Sequence, residues 1–158
     1  MQQIIVEKVE QDPRLLLAGL VEESSAQGFG ALRRVVSDWA GGICRFGAEG
    51  EGLFVALQDG RVVGVCALDI APDGVDKGIG RLRDMYVSAT CRRSGIGKSL
   101  VRRLVTEASA YFTALELRAD TPGAALFYEA LGFRPTPQAV DSTHRLDLRP
   151  AVAEVPRA

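Results

Sequence analysis

The chain has 158 residues, of which 47% are hydrophobic and 25% are charged, and its net charge at pH 7 is −1. This size and composition are typical of one soluble globular domain that needs no metal or disulfide to hold its core. We therefore expect a single domain over residues 1–149 and a frayed tail over 150–158. The near-neutral charge gives no indication of nucleic-acid binding. No apolar run approaches the roughly 18 residues of a membrane span, and residues 1–10 do not resemble a secretory signal, so we expect a cytoplasmic protein without a membrane partner.

The charges are unevenly distributed along the chain. Residues 1–80 carry 12 acidic and seven basic side chains, whereas residues 81–103 carry one acidic and seven basic side chains. A basic segment beside an acidic half favours an anionic cofactor next to a cationic acceptor, although the solvated faces of one helix and one strand would give the same distribution. The three cysteines (Cys44, Cys66 and Cys91) lack CxxC spacing, so we expect reduced thiols and no metal site.

The first half of the chain is predicted to contain a strand, two helices and a hairpin. Asp12 suits the N-cap of a helix and Pro13 suits its first turn. Asp59-Gly60 is a strong signal for a two-residue hairpin turn. The predicted elements are a strand at Gln3–Val9, helices at 12–25 and 32–39 with Gly41-Gly42 ending the second, and strands at Leu53–Gln58 and Arg61–Ile70.

The second half alternates strands with helices. Apolar residues from Ile96 to Ala108 recur at helical spacing, and Thr121-Pro122 suits an N-cap followed by the first helical residue. The predicted elements are a turn at 71–78, strands at Arg81–Val87, Phe112–Ala119 and Thr143–Leu148, a short strand from Phe133, and helices at 96–108 and 122–131. This order predicts one α+β domain around a mixed sheet.

The segment Arg92–Lys98 links a strand to a helix and contains two glycines separated by one residue. Backbone N–H groups at a helix N-terminus attract anions, and flanking arginines add charge-assisted bonds to phosphate, so the segment predicts a diphosphate cradle. Gly97-Lys98-Ser99 could end a Walker A loop, but that motif needs a glycine where Arg92 stands. The dinucleotide pattern GxGxxG fails because position 100 is leucine.

Arg92, Gly95 and Gly97 form an RxxGxG pattern that resembles the pyrophosphate-binding motif of the GNAT superfamily of N-acetyltransferases. The run Phe127–Phe133 (FYEALGF) resembles a second signature of that family, and Arg81–Val87 resembles its fourth strand. The resemblance implies an acyl-CoA N-acyltransferase-like fold, with a mixed, mostly antiparallel sheet of about seven strands and about four flanking helices. It also implies acetyl transfer from acetyl-CoA to a primary amine, without a metal.

The resemblance also implies roles for individual residues. Tyr128 would be the general acid that protonates the coenzyme A thiolate, and the Val87 N–H would bind the oxyanion. Further residues implied to contact acetyl-CoA are Met85, Tyr86, Arg92, Arg93, Ser94, Gly95, Ile96, Gly97, Lys98, Ser99 and Thr121.

Two positions depart from the family pattern. Thr121 stands where many members have an asparagine that binds pantetheine, and its hydroxyl is also suited to capping the helix. Arg81 stands where many members have a glutamate base, and an arginine stays protonated.

The identity of the base is left open among Asp84, Asp69, Glu23 and a water chain. Two-residue alternation places Asp84 on one face of its strand. It places four neighbours on the opposite face: Arg81, Arg83, Met85 and Val87.

The main alternative to an enzyme is a non-catalytic acyl-CoA-binding module of the same fold, in which the missing glutamate reflects lost chemistry. Retention of Tyr128 favours the enzyme. Members of the family are often dimers, so a homodimer is an open expectation, and the acceptor is not identified by any motif. His144 is expected to be a structural residue facing the core rather than a substrate contact.

Overall fold

The structure is a computed structural model that describes residues 3–71 and 78–148. Within these residues the chain forms seven strands and four α-helices. Their bounds are β1 Ile4–Lys8, α1 Arg14–Ala26, α2 Ala31–Ala40, β2 Gly52–Gln58, β3 Arg61–Ile70, β4 Ile79–Val87, α3 Ile96–Ala108, β5 Ala114–Leu117, α4 Pro122–Ala130, β6 Arg134–Pro135 and β7 His144–Asp147. The predicted tail at 150–158 and most of the predicted turn at 71–78 lie outside the described residues.

The strands form one sheet in the order β1-β2-β3-β4-β5-β7-β6. Neighbouring strands are antiparallel except β4 and β5, which are parallel and are connected by α3. The predicted α+β fold with a mixed, mostly antiparallel sheet is therefore confirmed. The β4–β5 ladder joins Ile79–Arg81 to Ala114–Glu116 and goes no further. Beyond Arg81, β4 continues to Val87 with an edge that β5 leaves open.

Each face of the sheet buries an apolar layer. On one face, α3 and α4 pack over residues such as Phe54, Leu68 and Leu115. On the other face, α1 and α2 pack over Leu53 and Val65. Burying a leucine or phenylalanine contributes roughly 1.5–3 kcal/mol, so these two layers hold the helices to the sheet. No helix in the described part of the chain is long and apolar enough to cross a membrane.

The turn and cap signals had mixed outcomes. Asp59 and Gly60 have φ of +52° and +82°, as a type I′ hairpin requires. The Thr121 hydroxyl accepts a hydrogen bond from the Ala124 N–H at 3.1 Å, which confirms the predicted cap. Pro13 rather than Asp12 occupies the N-cap position of α1, but the Asp12 carboxylate still accepts a hydrogen bond from the Arg14 N–H at 2.9 Å and also pairs with the Arg14 guanidinium.

Strand β4 contains a bulge at Asp84. Tyr86 pairs with Val65 and Arg83 pairs with Ala67, so Cys66 alone lies opposite both Asp84 and Met85. Asp84 has φ of +59°, which an aspartate adopts more readily than most residues. One extra residue in a strand shifts the alternation of side chains from one face to the other.

The bulge makes the predicted alternation along β4 wrong. Met85 and Val87 contact the core layer under α3 and α4. Arg83 lies on the opposite face, where its guanidinium stacks over Phe46 at 5.2 Å. Asp84 is not on the face opposite Arg83 as predicted, since the two side chains form an ion pair at 2.6 Å.

A substitution at Gly80 would test how tightly β4 packs against the segment before β5. A Cβ at this position would lie 2.6 Å from Phe112 Cδ2, closer than packed atoms can approach. We expect Gly80→Ala to lower the free energy of unfolding by about 1–3 kcal/mol through overpacking, measured by urea denaturation. Gly19→Ala is the control, because a Cβ at Gly19 would meet nothing within 4 Å. Gly19 also lies in α1, where alanine is a better helix former than glycine. Equal stability of Gly80→Ala and the wild type would contradict this packing.

Candidate active site

The predicted cradle is built where β4 leads into α3. Gly95 has φ of +85° and stands at the N-cap of α3, where no described side chain caps the helix. The first intrahelical bond runs from the Ser99 N–H to the Gly95 carbonyl at 3.0 Å. The N–H groups of Ile96, Gly97 and Lys98 therefore have no partner within the helix, and such groups are suited to binding an anion.

The two glycines of the cradle serve different purposes. Gly95 adopts a left-handed conformation with open space beside it, which lets the chain turn into the helix. A Cβ at Gly97 would lie 3.1 Å from the Phe127 ring. The second glycine therefore allows α4 to pack closely against the first turn of α3.

The arginines of the cradle are arranged differently from one another. Arg92 turns back onto the protein: its Nε donates to the Val87 carbonyl at 3.0 Å, its Nη2 donates to Gln27 at 3.3 Å, and its guanidinium stacks over Tyr86 at 5.3 Å. Arg93 is exposed and has φ of +67°. Arg92 is exposed as well, but Arg93 is the arginine of this pair that forms no hydrogen bond or ion pair with a described residue.

Glu23 on α1 binds the start of the cradle loop. Its carboxylate accepts hydrogen bonds from the Tyr86 hydroxyl at 2.6 Å, the Ser88 hydroxyl at 2.9 Å and the Ala89 N–H at 2.8 Å. The bond from Tyr86 is the main cause that lowers the pKa of Glu23. Burial, together with the Glu23 carboxylate, raises the pKa of Tyr86 to about 12. These three bonds tie α1 to the junction of β4 and the cradle.

The open edge of β4 presents backbone groups. The Ser88 N–H donates to Val63 of β3 at 2.8 Å. Because N–H groups along a strand point alternately to its two sides, the N–H groups of Val87 and Met85 are directed away from β3. They face the side that β5 leaves open beyond Arg81.

Tyr128 lies in the core layer between α4 and the sheet. Only 6% of its surface is exposed, and its ring makes edge contacts with Phe127 and Phe133 at 5.0 and 5.6 Å. Burial raises the pKa of Tyr128, and the nearby Cys66 thiol raises it further. The hydroxyl is therefore protonated at neutral pH, which is the state that a general acid requires.

A cavity of about 500 Å³ lies on the α1–α2 side of the sheet. Its walls are the loop between α1 and α2, the middle of β4, the end of β5 and the loop before β7. Asp84 lines this cavity. Phe29 and Arg34 also line it, and sequence reasoning missed both because no motif marks them. The glycines that flank Phe29, at 28 and 30, were the available sign of an irregular loop.

The three candidate bases lie in different surroundings. Asp69 is 7% exposed and accepts hydrogen bonds from both Arg81 and Arg83. Glu23 is held by the three donors of the cradle junction. Asp84 has one ion-pair partner, Arg83, and burial raises its pKa against the opposing effect of that partner. Asp69 raises the pKa of Asp84 further, whereas the charges of Arg81 and Arg34 lower it.

Three other predicted residues are engaged in structural contacts. The His144 ring is buried, with Nε2 2.8 Å from Glu129 and Nδ1 2.9 Å from the Thr143 hydroxyl. These contacts agree with the structural role expected for His144. The Ser94 hydroxyl donates to the Cys91 carbonyl within the cradle loop. The Thr121 hydroxyl is used in capping α4.

Solved structures of several bacterial proteins resemble this fold. A candidate acetyltransferase from Exiguobacterium sp. 255-15 is 27% identical, with a TM-score of 0.79 over 92% of this chain and 93% of that one. A candidate GNAT acetyltransferase from Desulfovibrio desulfuricans is 17% identical, with a TM-score of 0.73 over 93% and 100%. A GNAT acetyltransferase from Staphylococcus aureus Mu50 is 16% identical, with a TM-score of 0.66 over 93% and 100%.

No curated protein matches the chain. A family model described as the acetyltransferase (GNAT) domain matches residues 49–135, which include β2 to β6, the cradle and Tyr128. This match covers more than half of the 158 residues. The chain therefore belongs to the GNAT family of acetyltransferases.

Proposed function

We propose that this acetyltransferase transfers the acetyl group of acetyl-CoA to a primary amine by direct attack in a ternary complex. The observation that carries the proposal is the position of Asp84. Its bulge puts a carboxylate into the cavity on one side of β4. On the other side of the sheet, Tyr128 lies in the core layer that Met85 and Val87 also contact. A base and an acid thus flank the strand whose open edge offers backbone donors.

The residues of the cradle fit the diphosphate of acetyl-CoA. The unpartnered N–H groups of Ile96, Gly97 and Lys98 offer donors, and the exposed Arg93 and Lys98 offer positive charge. The pantetheine chain would pair with Met85, Tyr86 and Val87 along the open edge of β4. Arg92, with its side chain bound to the protein, would hold the cradle loop in place rather than contact phosphate directly. The hydroxyls of Ser94 and Thr121 would likewise support the loop and α4, and Ser99 would lie in the first turn of α3.

In the reaction the amine nitrogen attacks the thioester carbonyl, and the N–H of Val87 donates to the oxyanion that develops. Asp84 accepts the proton that the nitrogen loses as the new C–N bond forms. Tyr128 donates its proton to the sulfur as the C–S bond breaks, which yields the free thiol of coenzyme A. Tyr128 and Asp84 then recover their initial protonation states by exchange with solvent.

Asp84 is preferred over the other two carboxylates for a physical reason. A general base works best when its pKa approaches the operating pH, and burial raises the pKa of Asp84. The lowered pKa of Glu23 makes it a weaker base. Asp69 is paired with the guanidinium groups of Arg81 and Arg83, so protonating Asp69 during catalysis would leave those buried charges unpaired.

The first test is release of thiol from acetyl-CoA in the presence of small amines, amino acids, peptides and aminoglycosides. Turnover with any amine supports the proposal. Binding of acetyl-CoA, measured by calorimetry, without turnover on any amine would identify a binding module instead.

Replacing the general acid should slow the chemical step. We expect Tyr128→Phe to lower kcat by about 10- to 1000-fold, because the thiolate then leaves without a proton donor, with little change in the KM for acetyl-CoA. Steady-state kinetics of thiol release measure both values. Tyr111→Phe is the matched control, since Tyr111 is 46% exposed. An unchanged kcat and pH profile in Tyr128→Phe would contradict the role.

Replacing the base should change the pH profile. In the wild type, log(kcat/KM) should decrease as the pH drops below the pKa of the acceptor amine. It should decrease more steeply once the pH drops below the pKa of Asp84, which is raised above 3.8, because protonated Asp84 cannot accept a proton. We expect Asp84→Asn to lower kcat/KM about 100- to 10,000-fold and to remove the steeper limb. Asp59→Asn is the control, because asparagine also suits the hairpin turn. A retained steeper limb in Asp84→Asn would assign the base elsewhere.

Replacing Glu23 should affect binding rather than proton transfer. We expect Glu23→Gln to raise the KM for acetyl-CoA about 10-fold while the steeper limb of the pH profile remains, since a neutral amide holds the three donors less well.

Because the pKa of Glu23 is lowered on folding, the stability that Glu23 adds is present above the ordinary pKa of 4.5 and is lost as the pH falls below that value. Thermal unfolding of Glu23→Gln and the wild type should therefore converge at acid pH. The adjacent, exposed Glu22→Gln is the control, and loss of the steeper limb in Glu23→Gln would instead make Glu23 the base.

A further inference from the structure

One wall of the cavity, formed by α2 and β4, carries a surplus positive charge. Three guanidinium groups lie here with two carboxylates. Asp69 accepts hydrogen bonds from Arg81 at 2.7 and 2.9 Å and from Arg83 at 2.9 Å, and Arg83 also pairs with Asp84 at 2.6 Å. The third guanidinium is Arg34, which lines the cavity and forms no ion pair with any described residue.

Arg34 lies over the loop at the mouth of the cavity. It is in the first turns of α2, and its Nη1 is 3.4 Å from the position that a Cβ on Gly30 would occupy. Its charge favours the ionised form of Asp84, yet the two side chains are not within the 4.0 Å of an ion pair. A gap therefore separates a guanidinium from the carboxylate that would serve as the base.

The part of the cavity formed by β5 and the loop before β7 carries a surplus negative charge and lies beside β4, since Glu116 is the ladder partner of Arg81. Glu116 pairs with Arg145 at 3.4 Å, and Asp120 lies 3.7 Å from Arg118. Asp141 also lines the cavity, and it has no ion-pair partner among residues 3–71 and 78–148. The cavity lining thus includes an exposed cation, Arg34, and an exposed anion, Asp141, that have no ion-pair partner among the described residues.

We infer that the acceptor is a small α-amino acid, with its carboxylate bound by Arg34 and its amine bound by Asp84. This inference rests on the proposed function and names its substrate class. A guanidinium binds a carboxylate through two parallel hydrogen bonds, and a cavity of about 500 Å³ is of the size that holds small molecules. Arg34 and Asp84 line the same cavity without pairing with each other, so a zwitterion between them would direct its carboxylate to Arg34 and its amine to the base.

Other amines fit the cavity less well. A simple alkylamine would leave Arg34 without a partner. A lysine side chain on a protein carries its backbone carbonyl in a peptide bond, so it too lacks a carboxylate close to its amine. Only an acceptor with both groups pairs with Arg34 and Asp84 together.

The experiment compares the common L-amino acids with their amides and their decarboxylated amines, in thiol release at saturating acetyl-CoA. We expect the best free amino acid to exceed its amide by about 10- to 100-fold in kcat/KM, as for loss of a charged hydrogen bond. Arg34→Met should abolish this preference and leave the KM for acetyl-CoA unchanged, whereas Arg34→Lys should retain part of it. Arg33→Met is the matched control, because Arg33 and Arg34 are adjacent exposed arginines on α2 but Arg33 is not among the residues that line the cavity.

A thermal-shift titration with the same amino acids and amides gives a readout that does not depend on turnover. Stabilisation by a free amino acid that is absent with its amide, and absent in Arg34→Met, supports the inference. If no turnover accompanies this binding, the proposed function fails but the inference about the bound ligand stands. Turnover of amides and amines equal to that of amino acids, or an unchanged preference in a folded Arg34→Met, overturns the inference and leaves the proposed function standing.

Discussion

The extra residue that Asp84 inserts into β4 is the constraint on which the site depends. Without it, side chains would alternate regularly along the strand, and Met85 and Val87 would share a face with Arg81 and Arg83. With it, the arginines face the cavity beside α2 while Met85 and Val87 face the layer under α3. One insertion thus separates a charged surface from an apolar one on a single strand. The bulge also lies next to the point where β5 leaves β4, so the change of face and the open edge occur together.

Local signals in the sequence were sufficient for most of the fold. Asp59-Gly60 predicts a hairpin because few residues other than aspartate, asparagine and glycine adopt both positive φ values readily, and Thr121-Pro122 predicts a helix start because both residues suit it physically. The bulge was missed because the alternation rule assumes an unbroken ladder. The available sign was Asp84 itself, since aspartate is uncommon within strands.

The contacts of the site depend on residues that are distant in the chain. Glu23 meets Tyr86 and Ala89 across more than 60 residues, and Arg34 shares a cavity with Asp141. No local pattern encodes such pairings, because they follow from how α1 and α2 pack on the sheet. The RxxGxG pattern could be read from sequence because its function depends on backbone groups of consecutive residues. The separate roles of its residues could be seen only in the structure, where Arg92 binds the protein and Gly97 leaves space for the Phe127 ring.

The three hydrogen bonds to Glu23 have a consequence for how the two substrates influence each other. Helix α1 leads into the loop that borders the acceptor cavity, and the same helix holds the first residues of the cradle through this carboxylate. Any displacement of α1 must either break these bonds or move the cradle loop with it. A ligand that displaced α1 on binding in one site would therefore change the affinity of the other site, and such coupling is reciprocal: each ligand changes the affinity for the other by the same factor. In thermodynamic terms, a single side chain would link the affinities of the two sites, whichever ligand binds first.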